Sequence, residues 1–529
     1  MDSVSNTPTI VEVENEKSSE PAIRSTALRS LLLLLFSLAQ FIDIFNISAL
    51  FAALPVLTTS LEMNAGQAIW VISAYQLTFA AFLLLSGRVS DVYHPKYSFV
   101  GGAAWLGSLC LAAGFTKNKF GLIILRALCG LGGALTIPSA LNLIAHLYPE
   151  EKEQARAIGF FGSSGSIGNM LGLIIGALFV QYTSWSWVFW FAAIMILPIA
   201  IICIFIIPLD IVPETTASQS VEDDSPFEKV EKLKGLDIIG VTILTAALIL
   251  LIFGFTSGTT HSWTTAIVLV PVILSFFLLI AFFWYETRIP EDSAALPPKM
   301  WFYPNFAVLF AAALLPYLWW SSGFYIFLSY WQTAIHWSPI MSAIRFLPIN
   351  VVSFFPLIYA GSISRFFGLK RTTVFGLVLT LISTGLLTIG NSRERYWPIV
   401  FPAFCIGTLG CCLVFANANI AIFRVAPPHM AGTIGAIFNS ALQVGAAVGI
   451  SIVTSIESNI EKKTEGGAQT FKGRSAALWF VFTVVALELI AFVLFFKEAA
   501  TPIEEVETKE VEVELEKGQS VAREGKTDT

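Results

Sequence analysis

The chain is predicted to be an all-α, polytopic membrane protein with 14 transmembrane helices, arranged as two six-helix bundles with two helices inserted between them. Three observations predict this. Of 529 residues, 55% are apolar and only 13% charged, with a mean hydropathy of +0.73, a balance that a bilayer solvates and water does not. The apolar residues gather into fourteen runs of about the 20 residues that a membrane helix needs. Finally, the charged stretch after the second run, Gly87-Arg88-Val89-Ser90-Asp91-Val92-Tyr93-His94-Pro95-Lys96, has a weaker copy at Gly361 to Lys370, 274 residues on (361 minus 87).

In chain order, the first six runs cover roughly 30–57, 67–86, 97–115, 120–147, 154–181 and 185–207. An acidic linker, Pro208 to Gly235, separates them from runs at 238–257 and 264–285. Six more follow at 305–331, 338–362, 372–390, 396–424, 430–456 and 475–497. Each charged stretch follows the second run of a set of six, so the repeat places the bundles at 30–207 and 291–497, with an inserted pair at 237–290. Internal repeats of this kind are a mark of secondary transporters, whose substrate sites lie between the halves near the bilayer midplane. An arm (1–29), the linker (208–236) and a Glu-rich tail (498–529) complete the chain.

Basic residues orient the helices, because Lys and Arg collect in cytosolic loops. With the N-terminus inside, only eight of the 31 Lys and Arg fall in external loops, and Arg126 and Arg345 fall within helices. Both termini are then cytosolic. The plasma membrane is the expected location, with the vacuolar membrane as the alternative. The first residues show no basic region leading into a cleavable apolar segment, so the first helix is expected to be the anchor. The expected partners are a small-molecule substrate, protons and the lipid bilayer, and the chain is expected to act as a monomer. No basic stripe suggests nucleic acid. The five His and six Cys show no zinc spacing and there is no P-loop, so neither an enzyme, a metal site nor a cofactor is expected.

Ionisable groups within a bilayer are costly and are functional candidates by default. Asp43 lies about 13 residues into the first helix, hence roughly 20 Å from its start at 1.5 Å per residue, and Arg126 lies in the fourth. Two readings stand for them: a structural ion pair, or a pair that couples protonation to conformational change. Arg345, just before a proline in the tenth helix, either faces a cavity or snorkels to the interface. The fifth helix carries a glycine stripe that includes Gly165, Gly168 and Gly172, with Asn169 beside it, suited to close helix packing or to a sliding contact. Polar residues placed to line a passage, or to join helices by hydrogen bonds, are Asn46, Tyr75, Gln76, Asn350, Asn417, Asn419, Asn439 and Gln443. Aromatic residues of the ninth helix, Tyr317 to Trp331, divide between a stacking surface and an interfacial belt.

Gly87, Arg88 and Asp91 match the loop signature of the major facilitator superfamily, and Trp70-Val71-Ile72-Ser73-Ala74-Tyr75 before them is similar to its fourteen-helix drug:proton antiporter branch. Arg126 with Gly130 and Pro138, Leu236 to Gly240, Gln332 with Ser338-Pro339, and Asn439, Gln443, Gly445 and Gly449 extend the resemblance over about residues 28–497. Within that branch the chain most resembles the fungal aminotriazole-resistance and boron-efflux group. The resemblance implies export of a drug or metabolite by alternating access, with Gly87, Arg88 and Asp91 forming a conformational gate and Arg126 taking part in proton coupling. Three features depart from it: His94-Pro95 in the loop, Cys129 where Gln is common, and Gly168-Asn169-Met170-Leu171-Gly172 without the proline of the antiporter signature. The alternative is a weakly coupled or uncoupled facilitator of a small polar species such as ammonium or boric acid.

Overall fold

The computed structural model describes residues 26–92, 94–208, 237–258, 261, 263–289, 298–425 and 431–497. The expected arm, the linker and the tail lie almost wholly outside them. The described residues hold 14 membrane-length spans. These are α1 (Thr26–Ser60), α2 (Ala65–Val92), α3 (Pro95–Phe115), α4 (Lys119–Leu147), α5 (Glu151–Tyr182), α6 (Ser186–Ile206), α7 (Ile238–Ser257) and α8 (Ala266–Glu286). They continue with α9 (Phe306–Thr333), α10 in two pieces (Pro339–Ile344 and Leu347–Phe367), α11 (Leu369–Leu387), α12 (Phe401–Val425), α13 (Ala431–Glu461) and α14 (Lys472–Phe495). Below, the end of the bundle where α1 begins is called proximal and the end where it finishes distal.

Local chemistry sets several of the boundaries. Asn118 Oδ1 accepts the Phe120 amide at 2.9 Å to start α4, Asp237 Oδ1 accepts the Gly240 amide at 2.8 Å to start α7, and Ser338 Oγ accepts the Met341 amide at 3.2 Å to start α10. Pro348 follows directly on the break in α10, where its missing N–H cannot continue the ladder. The tenth span is therefore a broken helix, interrupted at Arg345 and Phe346.

The repeated stretch begins inside a helix, past the expected end of the second run. Gly87, Arg88 and Asp91 lie in the last turns of α2, which runs to Val92, and the side chains there are outside the described set. The copy behaves alike: α10 runs to Phe367, Gly368 makes the connection at φ +85°, and α11 starts at Leu369. Starts of α3 and α11 at Pro95 and Leu369 reproduce the 274-residue offset (369 minus 95).

Packing repeats with the sequence. α1 lies on α5, α2 on α4, and α3 on both α4 and α6; eight helices on, α9 lies on α13, α10 on α12, and α11 on both α12 and α14. Across the two bundles α2 meets α13 and α5 meets α10. The inserted α7 rests on the α2–α13 seam, with Thr245 Oγ1 donating to Ala81 O at 2.9 Å and Thr256 and Ser451 hydroxyls 2.9 Å apart. α8 packs mainly on α7 and turns Ile273, Phe276, Phe277 and Ile280 outward, as a lipid-facing helix should.

Candidate functional site

In the middle of the first bundle three helices meet at Asp43 (α1), Tyr75 (α2) and Arg126 (α4), all buried. Small residues make the meeting possible. A Cβ at Gly133 of α4 would sit 2.6 Å from Asp43 Oδ1, so only glycine leaves that oxygen its space. Thr78, one turn below Tyr75, donates to Ala127 O at 2.6 Å and ties α2 to α4 beside the cluster.

The expected ion pair is not direct. Among the described residues no salt-bridge contact joins Asp43 to Arg126, because Tyr75 stands between them. Its hydroxyl donates to Asp43 Oδ1, while its ring lies under the guanidinium, with Cζ 4.4 Å from the ring centroid. Arg126 Nε donates to Val71 O at 2.9 Å, leaving Nη1, Nη2 and Asp43 Oδ2 buried and without partners. Unmet charged atoms of this kind cost about 1–3 kcal/mol or more each, and ionisable groups within membrane-length helices are functional candidates by default. Across the seam, Tyr317 of α9 lies within electrostatic reach of Asp43.

The remaining candidates separate into groups. Asn46 is fully buried and donates to Cys110 Sγ at 3.6 Å, which joins α1 to α3 inside the bundle, while its Oδ1 has no partner. Gln76 is buried beside Tyr75, with its Oε1 unpartnered. Asn350 accepts from Asn169 at 3.1 Å, a bond between α10 and α5 and thus between the bundles. Asn417 accepts from Ser364 within the second bundle, and Asn439 donates to Gly435 O of its own helix at 2.9 Å. Asn419 is half-buried on α12 and Gln443 is buried on α13. Arg345 stacks on aromatic rings: its Cζ sits 3.5 Å over Trp337 and 4.8 Å over Tyr396, near the distal end. Two aromatic faces there stand in for part of the water its charge would lose.

The glycine stripe serves packing within one bundle. A Cβ at Gly168 would meet Phe41 O at 2.5 Å and one at Gly172 would meet Phe45 O at 3.1 Å, both on α1, while Gly165 faces Gln40. A contact that slides between bundles is not what this face makes. The aromatic belt needs correction as well. Tyr330 and Trp331 are buried, packed with Trp337, Phe346, Phe404 and Phe471.

One polar cluster was missed. α13 continues to Glu461, five residues past the expected end of that run, so Glu457 and Glu461 stand one turn apart on the helix instead of in a loop. Arg474 of α14 lies against both, with Nε 3.0 Å from Glu457 Oε1 and Nη1 3.5 Å from Glu461 Oε1. These residues line a cavity of about 240 Å³ at the distal end, whose other walls come from α1, α2 and α9. The i, i+4 spacing of the two glutamates was the available signal.

The model for the Major Facilitator Superfamily matches residues 36–260 and again 235–450. The chain is 25% identical to the "Major facilitator superfamily multidrug transporter mfsC" of Aspergillus fumigatus, over 90% of this chain and 89% of that one. It is 26% identical to the "Low affinity ammonium transporter" of Saccharomyces cerevisiae (78% and 77%) and 26% identical to "Efflux pump terG" of Aspergillus terreus (84% and 83%). In fold it is similar to a bacterial homolog of the lysosomal transporter Spinster in an inward-facing, unoccupied conformation (TM-score 0.63, 14% identity, 90% and 100% covered). It is likewise similar to a POT family transporter in complex with 5-aminolevulinic acid (TM-score 0.63, 16%, 88% and 96%). The family match spans most of the chain: the chain belongs to the Major Facilitator Superfamily and is a membrane transporter, not an enzyme.

Proposed function

We propose that the chain exports a small organic or toxic solute in exchange for protons, by rocking its two six-helix bundles about the α2–α13 and α5–α10 seams. The observation that carries this reading is the Asp43–Tyr75–Arg126 cluster, a carboxylate and a guanidinium held apart by a tyrosine with charged atoms left unmet. A proton arriving at Asp43 Oδ2 removes the charge that Tyr75 serves and frees Arg126, which changes the balance between conformations. Gly87, Arg88 and Asp91, at the proximal end of α2, take the part of gate, and the Asn169–Asn350 bond is a second point that must break when the bundles move. Residues 30–207 and 291–497 would then move as two units, with 237–290 riding on their seam. Both termini belong in the cytosol and the plasma membrane is the proposed location, with the chain working as a monomer. Relatives that are multidrug and efflux transporters support export.

Proteoliposome uptake with and without an imposed pH gradient tests the coupling. Flux that ignores the gradient, or gradient-driven flux unaltered in Asp43→Asn, refutes it. The likeness to an ammonium transporter and the absent helix-5 proline favour a second reading, an uncoupled facilitator of a small polar species. Saturable flux of ammonium or boric acid without gradient dependence would select it.

A further inference from the structure

The charge of the distal cavity does not balance. Arg474 brings one positive charge to two carboxylates, and Glu457 Oε2 has no partner although Glu457 is only 3% exposed. Arg474 is also fixed in place: its Nη1 donates to Ala468 O at 2.8 Å and Thr470 O at 3.0 Å, and its Cζ lies 5.1 Å from the Tyr330 ring centroid. It is therefore not free to swing between the glutamates. Glu457 and Glu461 lie within hydrogen-bond reach of each other, and Tyr325 of α9 is in electrostatic reach of both. A proton held between the two glutamates makes up the balance, and a cation entering this half-open space would take that proton's place.

The rest of the wall indicates what kind of positive charge fits. Thr58 and Thr333 donate their hydroxyl hydrogens to Leu54 O and Ser329 O, each at 2.7 Å, so their oxygens offer lone pairs to the cavity. Phe51 and Leu54 supply an apolar wall. We propose that this cavity binds a protonated primary amine with a small apolar body, its three N–H donors shared among Glu457, Glu461 and the threonine oxygens. A quaternary ammonium matches the charge but gives those acceptors no hydrogen, and a bare inorganic cation leaves the apolar wall unused. The volume, about 240 Å³, is below that of most drug-sized pockets and suits one ring or a short chain. Because α1 and α2 come from one bundle and α9, α13 and α14 from the other, the bound amine touches both halves at their mouth. The proposal rests on the transporter reading only in treating the cavity as a station on a solute's path, since binding itself requires no flux.

The test is calorimetric titration of the purified full-length protein in nanodiscs with phenethylammonium, with 2-phenylethanol, trimethyl(phenethyl)ammonium and ammonium chloride as comparison probes. Saturable binding of the primary amine is expected, with each comparison probe about tenfold weaker or more, the loss that goes with a charge-assisted hydrogen bond or the apolar body. Glu461→Gln leaves the Arg474–Glu457 pair intact and should weaken phenethylammonium about tenfold with little change in thermal unfolding. Thr333→Val, at an exposed position, should weaken it less and keep the fold. Equal affinity for the primary and quaternary amines, unchanged affinity in Glu461→Gln, or proton uptake by the glutamates without amine binding overturns the proposal. Amine binding without any gradient-driven flux would remove the antiport reading and leave this one standing.

Discussion

Tyr75→Phe is the most informative single change in the central cluster, because it removes one oxygen and leaves the ring under Arg126 in place. In the wild-type chain the Tyr75 hydroxyl donates to Asp43 Oδ1, and among the described residues Oδ2 has no partner. Removing it leaves both oxygens of a buried carboxylate unsatisfied. A hydrogen bond to a charged group contributes roughly 1.5–3 kcal/mol, so the conformation seen here should lose about 2 kcal/mol relative to any state in which Asp43 is protonated or hydrated. Since about 1.4 kcal/mol is tenfold, the equilibrium between conformations should move by roughly thirtyfold. The assay is gradient-driven efflux in proteoliposomes, paired with solvent accessibility of a single cysteine placed in α1 near Asp43. Expected are a fall in gradient-driven flux of tenfold or more, by the same conversion, and a raised fraction of the alternative conformation. Wild-type flux and wild-type accessibility in Tyr75→Phe would refute the argument that this tyrosine joins the two charges.

Other changes test separate parts of the structure. Gly172→Leu drives a side chain into Phe45 and Ser48 of α1, and overpacking should cost about 1–3 kcal/mol in thermal unfolding, whereas Gly159→Leu, with nothing within 4 Å, should be nearly neutral. Arg345→Ala should lose about 1–2 kcal/mol of stability with its aromatic contacts and retain transport, which flux measurement in the variant checks. Asn169→Cys with Asn350→Cys should cross-link across the seam in one conformation only, so trapping should stop flux and reduction should restore it. Protease or antibody access to tags at each terminus of intact cells tests orientation; tags exposed outside would reverse the assignment.

How much of the fold could be read beforehand depended on whether the signal was local. Fourteen apolar runs are a local property, and the helices follow them. The offset between Gly87 and Gly361 carried information across the whole chain, and the starts of α3 and α11 keep it. Helix ends were harder to place, since charge does not stop a helix whose backbone bonds can continue. α2 runs through Arg88 and Asp91, and α13 through Glu457 to Glu461. An apolar criterion ends both too early, at the edge of the hydrocarbon and not where hydrogen bonding ceases.

The same distinction accounts for the site. Asp43 and Arg126 stood out because each is an isolated charge among apolar residues, but nothing in the sequence places Tyr75 between them. That position follows from two helix crossings that Gly130 and Gly133 of α4 permit, with Thr78 and Tyr75 entering the space their missing side chains leave. Glu457 and Arg474 were hidden for the opposite reason: grouped with other charges, they resemble a solvated loop. Their burial comes from tertiary packing, as α14 closes over the end of α13 and Phe471 covers the junction against Tyr330. Lone charges in apolar runs and clustered charges at the ends of those runs thus need different tests. For the first the question is what separates the partners, and for the second it is whether the helix has really ended. Applied to α13, the second question turns a presumed loop into one buried and one half-buried carboxylate against a buried guanidinium, and so into the place proposed for a cation between the bundles.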